Sequence, residues 1–248
     1  PMEDVFAACG DTPAMFQLYT PRNRELATSL IQRAEKAGAK AIVVTLDTWL
    51  TGWRPRDLNA SNFPQLRGKV MQNYFSDPVF RSMLDKTPEE DPRAAIMLFA
   101  AIFGQVLTWK DMEFFKSVTD LPIVLKGICH ADDAKRAVDH GADAVYCSNH
   151  GGRQFNGAPA SIEALPDIAN IVNKRVPIIF DSGVRTGLDV MRALYLGADF
   201  VMLGRPFLYG VAALGNYGPD HVIHIFTDDL KNNMIQLGVS SIKELKAL

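Results

Sequence analysis

Cysteine is scarce in this sequence, and each one stands alone. Cys9, Cys129 and Cys147 are odd in number and widely spaced. That speaks against a disulfide framework or a cysteine-built zinc site, and no metal is expected. It points to free thiols in a reducing, intracellular compartment, with the cytoplasm the first choice. Long apolar runs are also lacking. The longest, Ala94 to Phe103, has ten residues, whereas a bilayer-crossing helix takes about 20, so no membrane is expected. Charge of one sign is not in excess either: 26 Lys and Arg stand against 28 Asp and Glu, with no basic run. Nucleic acid is therefore not an expected partner.

What is present is an alternation of short apolar runs with helical patterns. Strands are expected at Ala14–Tyr19, Ala41–Leu46, Ile123–Lys126, Ala144–Cys147, Pro177–Asp181 and Phe200–Leu203. Helices are expected at 1–11, 23–36, 109–117, 131–140, 161–173 and 187–196, and the last third reads as helical. Between Thr48 and Leu107 the pattern is irregular, apart from the apolar run 94–103. Near-continuous apolar strands joined by helices imply a parallel sheet covered on both sides. Gly38, Gly141 and Gly197 each follow a helix just before a strand, where a left-handed glycine ends a helix at little cost.

Polar and charged residues gather where the strands end: Gln17, Tyr19, Asp47, Lys126, Ser148, His150, Asp181, Gly204 and Arg205. Chemistry spread over six strand ends favours a (β/α)8 TIM barrel over an open doubly wound sheet, which would use one crevice. Six strands are visible and closure takes eight. The expectation is thus a single barrel domain over 1–248 that lacks its first two strands in this chain, with a long lid-like insertion at about 55–108. Its missing N-terminal segment, joined in trans, or other copies in a homo-oligomer would cover the open edges.

The central stretch is Ser148-Asn149-His150-Gly151-Gly152-Arg153-Gln154. It sets a base and a fixed cation at one strand end, with two glycines that let the backbone turn and a flat ligand approach. Its plain structural alternative is a turn with a capping Ser and a satisfied His. Two later turns, Asp181-Ser182-Gly183-Val184-Arg185 and Gly204-Arg205-Pro206, suit an anion, because helix-start N–H groups lie beside an Arg. Lys126 reads as a structural ion pair or as a fixed charge near a ring that gains electrons. Arg54 is either a solvated charge or, with Arg153, a clamp for a carboxylate. Tyr19 offers a phenolic hydrogen bond, and Asp47 offers a carboxylate to steady His150. The remaining histidines, His130, His140, His221 and His224, read as structural or solvated.

On these stretches, together with Phe16-Gln17-Leu18-Tyr19, Thr45-Leu46-Asp47-Thr48 and Leu125-Lys126-Gly127, the sequence resembles the flavin-dependent α-hydroxy acid oxidising family. Asp47-Thr48-Trp49 and Gly52-Trp53-Arg54-Pro55-Arg56-Asp57-Leu58 bring it nearest to the lactate monooxygenase branch. The resemblance implies a barrel with FMN at the C-terminal strand ends. It makes His150 the base, paired with Asp47, and gives Arg54 and Arg153 the substrate carboxylate, with Tyr19 also touching substrate. Gln17, Thr45, Lys126 and Ser148 would contact the flavin, while Asp181, Gly183, Arg185, Gly204 and Arg205 would hold its ribityl chain and phosphate. The implied reaction oxidises a small L-2-hydroxy acid, L-lactate first, with O2 as acceptor, giving acetate and CO2. The alternatives are a simple oxidase or dehydrogenase that releases the keto acid, and a flavin-free fragment with no activity.

Overall fold

A computed structural model describes residues 1–248. The chain divides into two compact units, Pro1–Lys126 with His140–Ala142, and Gly127–Asp139 with Asp143–Leu248. Strand order follows chain order, β1-β2-β3-β4-β5-β6. No helix is long and apolar enough to cross a membrane.

The first unit opens with α1 (Met2–Cys9), β1 (Phe16–Leu18), α2 (Arg24–Lys36) and β2 (Ile42–Thr45). Asn23 caps α2 by accepting from the Leu26 N–H at 2.8 Å. Leu26, Ala27, Leu30, Ile31 and Ala34 recur at helical spacing and are all buried, so one stripe of α2 is committed to the core. Gly38 follows at φ 102, with Gly141 at 83 and Gly197 at 114, so each expected glycine junction adopts the left-handed turn. Strand β2 is buried at all four positions, as expected of a parallel strand covered on both faces. It pairs in parallel with β1 and with β3 (Ile123–Ile128).

The connection from β2 to β3 corrects the irregular stretch expected there. It holds α3 (Pro55–Asn59), a 3-10 turn at Pro64–Arg67, α4 (Gln72–Phe75), α5 (Pro78–Ser82), α6 (Pro92–Ile102) and α7 (Asp111–Val118). Four prolines start these segments: Pro55, Pro64, Pro78 and Pro92 occupy first-turn positions, where the missing N–H costs nothing. Asp77 and Asp91 cap α5 and α6. The segment is built into its unit. Met71, Asp77 and Phe80 are fully buried, and Asp77 accepts from Arg33 at 2.8 Å and from Ser29 at 2.8 Å.

The second unit runs α8 (Ala131–Asp139), β4 (Ala144–Cys147), α9 (Ser161–Val172), β5 (Ile178–Phe180), α10 (Gly187–Tyr195), β6 (Phe200–Val201), α11 (Arg205–Leu214), α12 (Gly218–Leu237) and α13 (Ile242–Leu245). β4, β5 and β6 pair in parallel. β6 is shorter than the expected Phe200–Leu203 because its ladder with β5 ends after two residues. α12 packs closely on α10 and α11. A Cβ on Gly187 would collide with Leu230 N and lie 2.6 Å from Phe226 O, and one on Gly210 would lie 2.8 Å from Gly218 O.

Candidate active site

In the first unit, side-chain direction alternates along each strand, and Gln17 is in register with Val43. Thr45 lies two residues on from Val43 and therefore shares the Gln17 face. Lys126 is the register partner of Thr45. The structure gathers them accordingly. The Gln17 amide donates to Thr45 Oγ1 at 3.0 Å and to the Tyr19 hydroxyl at 3.2 Å. Thr45 and Lys126 are buried. An amide and two hydroxyls thus meet at neighbouring strand ends, with the buried Lys126 in register beside Thr45. Asp47 follows two residues after Thr45 and accepts from the Thr48 hydroxyl at 3.2 Å. Arg54 is half-buried and stands at the N-cap of α3.

In the second unit, β4 is followed by a fully buried Ser148. Its hydroxyl accepts the His150 N–H at 3.1 Å, so this side chain is turned into its own loop. His150, Gly151 and Gly152 then take φ of 57, 66 and 71. Three successive left-handed residues make a sharp turn, and histidine pays a conformational cost there that glycine does not. Strain of this kind collects at functional sites. The Asn149 side-chain Oδ1 accepts the Gly152 N–H at 3.0 Å. Arg153 follows, exposed.

After β5, Asp181 accepts from Tyr146 at 3.0 Å and from Ser182 at 2.8 Å. Side chains already occupy several N–H groups around the start of α10. Asp189 accepts from the N–H groups of Arg185 at 2.9 Å and Thr186 at 3.1 Å, and Asp229 from that of Leu188 at 3.1 Å. The Arg185 guanidinium is turned onto the Val184 carbonyl at 2.7 Å. Arg205 opens α11 and donates to the Gly151 carbonyl at 2.8 Å. A cavity of about 340 Å³ lies between these turns, lined by Asn149, Gly151, Ser182, Gly183, Arg192 and Arg205 among others. A Cβ on Gly152, Gly183 or Gly204 would meet nothing within 4 Å.

A family model described as FMN-dependent dehydrogenase matches residues 1–248. The chain belongs to the FMN-dependent dehydrogenase family. It is 42% identical over 247 residues to an L-lactate oxidase of Lysinibacillus sphaericus (strain C3-41), covering 100% of this chain and 64% of that protein. It is 43% identical over 247 residues to an FMN-dependent alpha-hydroxy acid dehydrogenase of Penicillium citrinum, covering 98% of this chain and 61% of that one. A crystal structure described as that of a lactate oxidase from Pediococcus acidilactici matches at TM-score 0.85 and 39% identity, over 99% of this chain and 63% of its own. The chain therefore spans less than two thirds of the length of these relatives, and it carries six strands of the family's parallel βα fold.

For a member of the FMN-dependent dehydrogenase family, the residues at hand fit the cofactor. The open glycine surfaces beside Arg205 suit an anionic group. The Gln17 amide, Thr45 hydroxyl and Lys126 ammonium suit the polar edge of a flat ring. Gly183 and Arg205 line the cavity, whereas Asp181 accepts from Tyr146 and Ser182 and Arg185 donates to the Val184 carbonyl. Asn149, Ser182 and Arg192 also line it, and sequence reasoning missed them. Ser182 carried a signal, as the middle of an Asp-Ser-Gly turn. Arg192 carried none beyond its i,i+3 spacing from Asp189, with which it pairs at 3.5 Å.

Proposed function

We propose that this protein oxidises a small L-2-hydroxy acid, L-lactate first, on bound FMN, with O2 as the final electron acceptor. The observation that carries the proposal is the left-handed His150-Gly151 loop, tied to Arg205 beside a cavity of about 340 Å³. FMN, when bound, supplies the two-electron acceptor. Its phosphate suits Gly183, Gly204 and Arg205, and its ring suits Gln17, Thr45 and Lys126. Arg54 and Arg153 hold the substrate carboxylate, since guanidinium matches two oxygens at once. Tyr19 donates to a substrate oxygen. His150 accepts a proton from the substrate hydroxyl or from Cα, and Asp47 steadies the imidazolium that results. Lys126 places positive charge where negative charge develops.

Two product outcomes follow from one oxidation. If the keto acid leaves first, lactate and O2 give pyruvate and hydrogen peroxide. If it stays while O2 reacts, lactate and O2 give acetate, CO2 and water. Support for the second outcome comes from the long segment 55–108, which begins beside Asp47 and Arg54 and includes the apolar α6. Retention of product by such a wall slows release. A product assay on the FMN-loaded protein with L-lactate and oxygen separates the two. Acetate with CO2 supports retention, and stoichiometric pyruvate with peroxide rejects it.

A further inference from the structure

Ser182 is a non-glycine residue held at φ 84, a conformation that costs serine energy unless its surroundings enforce it. What enforces it is a chain of hydrogen bonds within the second unit. The Tyr146 hydroxyl donates to one Asp181 carboxylate oxygen at 3.0 Å. The Ser182 hydroxyl donates to the other at 2.8 Å. With that proton committed, the Ser182 oxygen accepts the Gly151 N–H at 2.9 Å. The carbonyl of the same Gly151 accepts from the Arg205 guanidinium at 2.8 Å. Gly151 is thereby gripped on both sides, and it follows His150 directly. A Cβ at Gly151 would meet Arg205 Nη2 at 2.6 Å, so the guanidinium lies close against this residue.

We propose that Ser182 is a positioning residue that fixes the Gly151 peptide and so ties the His150 loop to the Arg205 side of the anion cradle. Anion seating and base placement then become one event. A ligand that draws Arg205 changes the pull on the Gly151 carbonyl, while Ser182 keeps the N–H side fixed. The inference rests on the proposed function in taking His150 as the base and Arg205 as an anion ligand.

Two variants separate the hydroxyl from the backbone. Ser182→Ala removes the hydroxyl and keeps the burden of a Cβ at positive φ. Ser182→Gly removes the hydroxyl and relieves that burden, so it also guards against a failure of the alanine variant to fold. Three readouts are taken on the whole chain: hydrogen exchange at the Gly151 amide, FMN affinity from flavin fluorescence, and the rate of flavin reduction by L-lactate. Loss of a hydrogen bond of ordinary strength predicts exchange faster by about tenfold in both variants. It also predicts FMN binding weaker by about threefold to tenfold and a limiting reduction rate lower by about tenfold, with the lactate KM held within about twofold. Unchanged Gly151 exchange in both variants overturns the proposal. Faster exchange with parent-like reduction overturns the link to the base. A parental protein that fails to take up FMN rejects the proposed function instead, while the exchange experiment still decides whether Ser182 holds Gly151.

Discussion

His150 occupies a backbone conformation that most side chains avoid, with φ 57, and this governs how it should be tested. Alanine there would change both chemistry and loop geometry. Asparagine tolerates the left-handed region, so His150→Asn isolates the base. Its expected effect is a fall in flavin reduction rate on the order of 10²-fold or more, with the melting temperature close to parent. A reduction rate near the parent value would remove His150 from the role. Arg153→Lys keeps charge but loses the planar fork. It should weaken lactate and oxalate together, by roughly tenfold for one lost charge-assisted contact. Equal parental affinity for a carboxylate and its methyl ester would contradict that role. At this scale much was legible. A base, two glycines and an arginine after a buried strand announced themselves. The Ser182–Gly151 bond was not legible, because residues 31 apart meet only once β4 and β5 lie side by side. Nor could sequence show that Asp189 and Asp229 fill the start of α10 and leave less of it for an anion.

Among the elements, the connection from β2 to β3 departs most from its sequence pattern. Helical segments as short as Gln72–Phe75 and Pro78–Ser82 are too brief to display a 3.6-residue period, and only the second has a proline and aspartate start to betray it. The apolar α6 was legible as a helix, but its place was not. Its C-terminal end is tied to the strand ends. The Arg22 N–H donates to the Ile102 carbonyl at 2.9 Å, and the Arg22 side chain donates to the Gly104 carbonyl at 3.2 Å. Phe103 lies 5.9 Å from the Tyr19 ring and 5.1 Å from Phe99, which in turn meets Tyr74 at 4.9 Å. This aromatic file leads from the segment to the candidate substrate tyrosine. Phe103→Ala should loosen Tyr19 and raise the lactate KM severalfold, at a stability cost of about 3–5 kcal/mol or less for a half-buried ring. An unchanged KM would separate α6 from the site. The helix contacts of the second unit give a sharper stability test. Gly187→Ala forces a methyl group against α12 and should destabilise by about 1–3 kcal/mol in denaturant unfolding. A neutral result would contradict the close packing of α10 on α12. At the chain's start, hydrogen bonds from Arg33 hold the Glu3 carboxyl below its ordinary value of 4.5. A lowered folded value stabilises at pH above the unfolded value and is lost as pH falls through the folded one. Glu3→Gln should therefore flatten the acid limb of the melting curve from about pH 4.5 downward. A limb identical to the parent's would count against the pair.

At the scale of the whole molecule, each of the two units carries its own set of polar groups. The first offers an amide, hydroxyls and a buried lysine at strand ends. The second offers the strained histidine loop and an arginine-lined cavity. The βα alternation and the parallel sheet were legible because buried parallel strands are short, apolar runs bounded by glycine. The exact strand ends were not, since pairing decides them: β6 stops where its ladder with β5 stops. The proposed oxidation gives each of these groups a role. The most direct test mixes the purified, FMN-loaded protein with L-lactate in the absence of oxygen and follows the visible flavin absorbance. The account predicts bleaching at a rate that depends on lactate concentration, with colour restored when oxygen is admitted. Flavin that stays bound and fully oxidised in the presence of excess lactate, and of other small L-2-hydroxy acids, would contradict it.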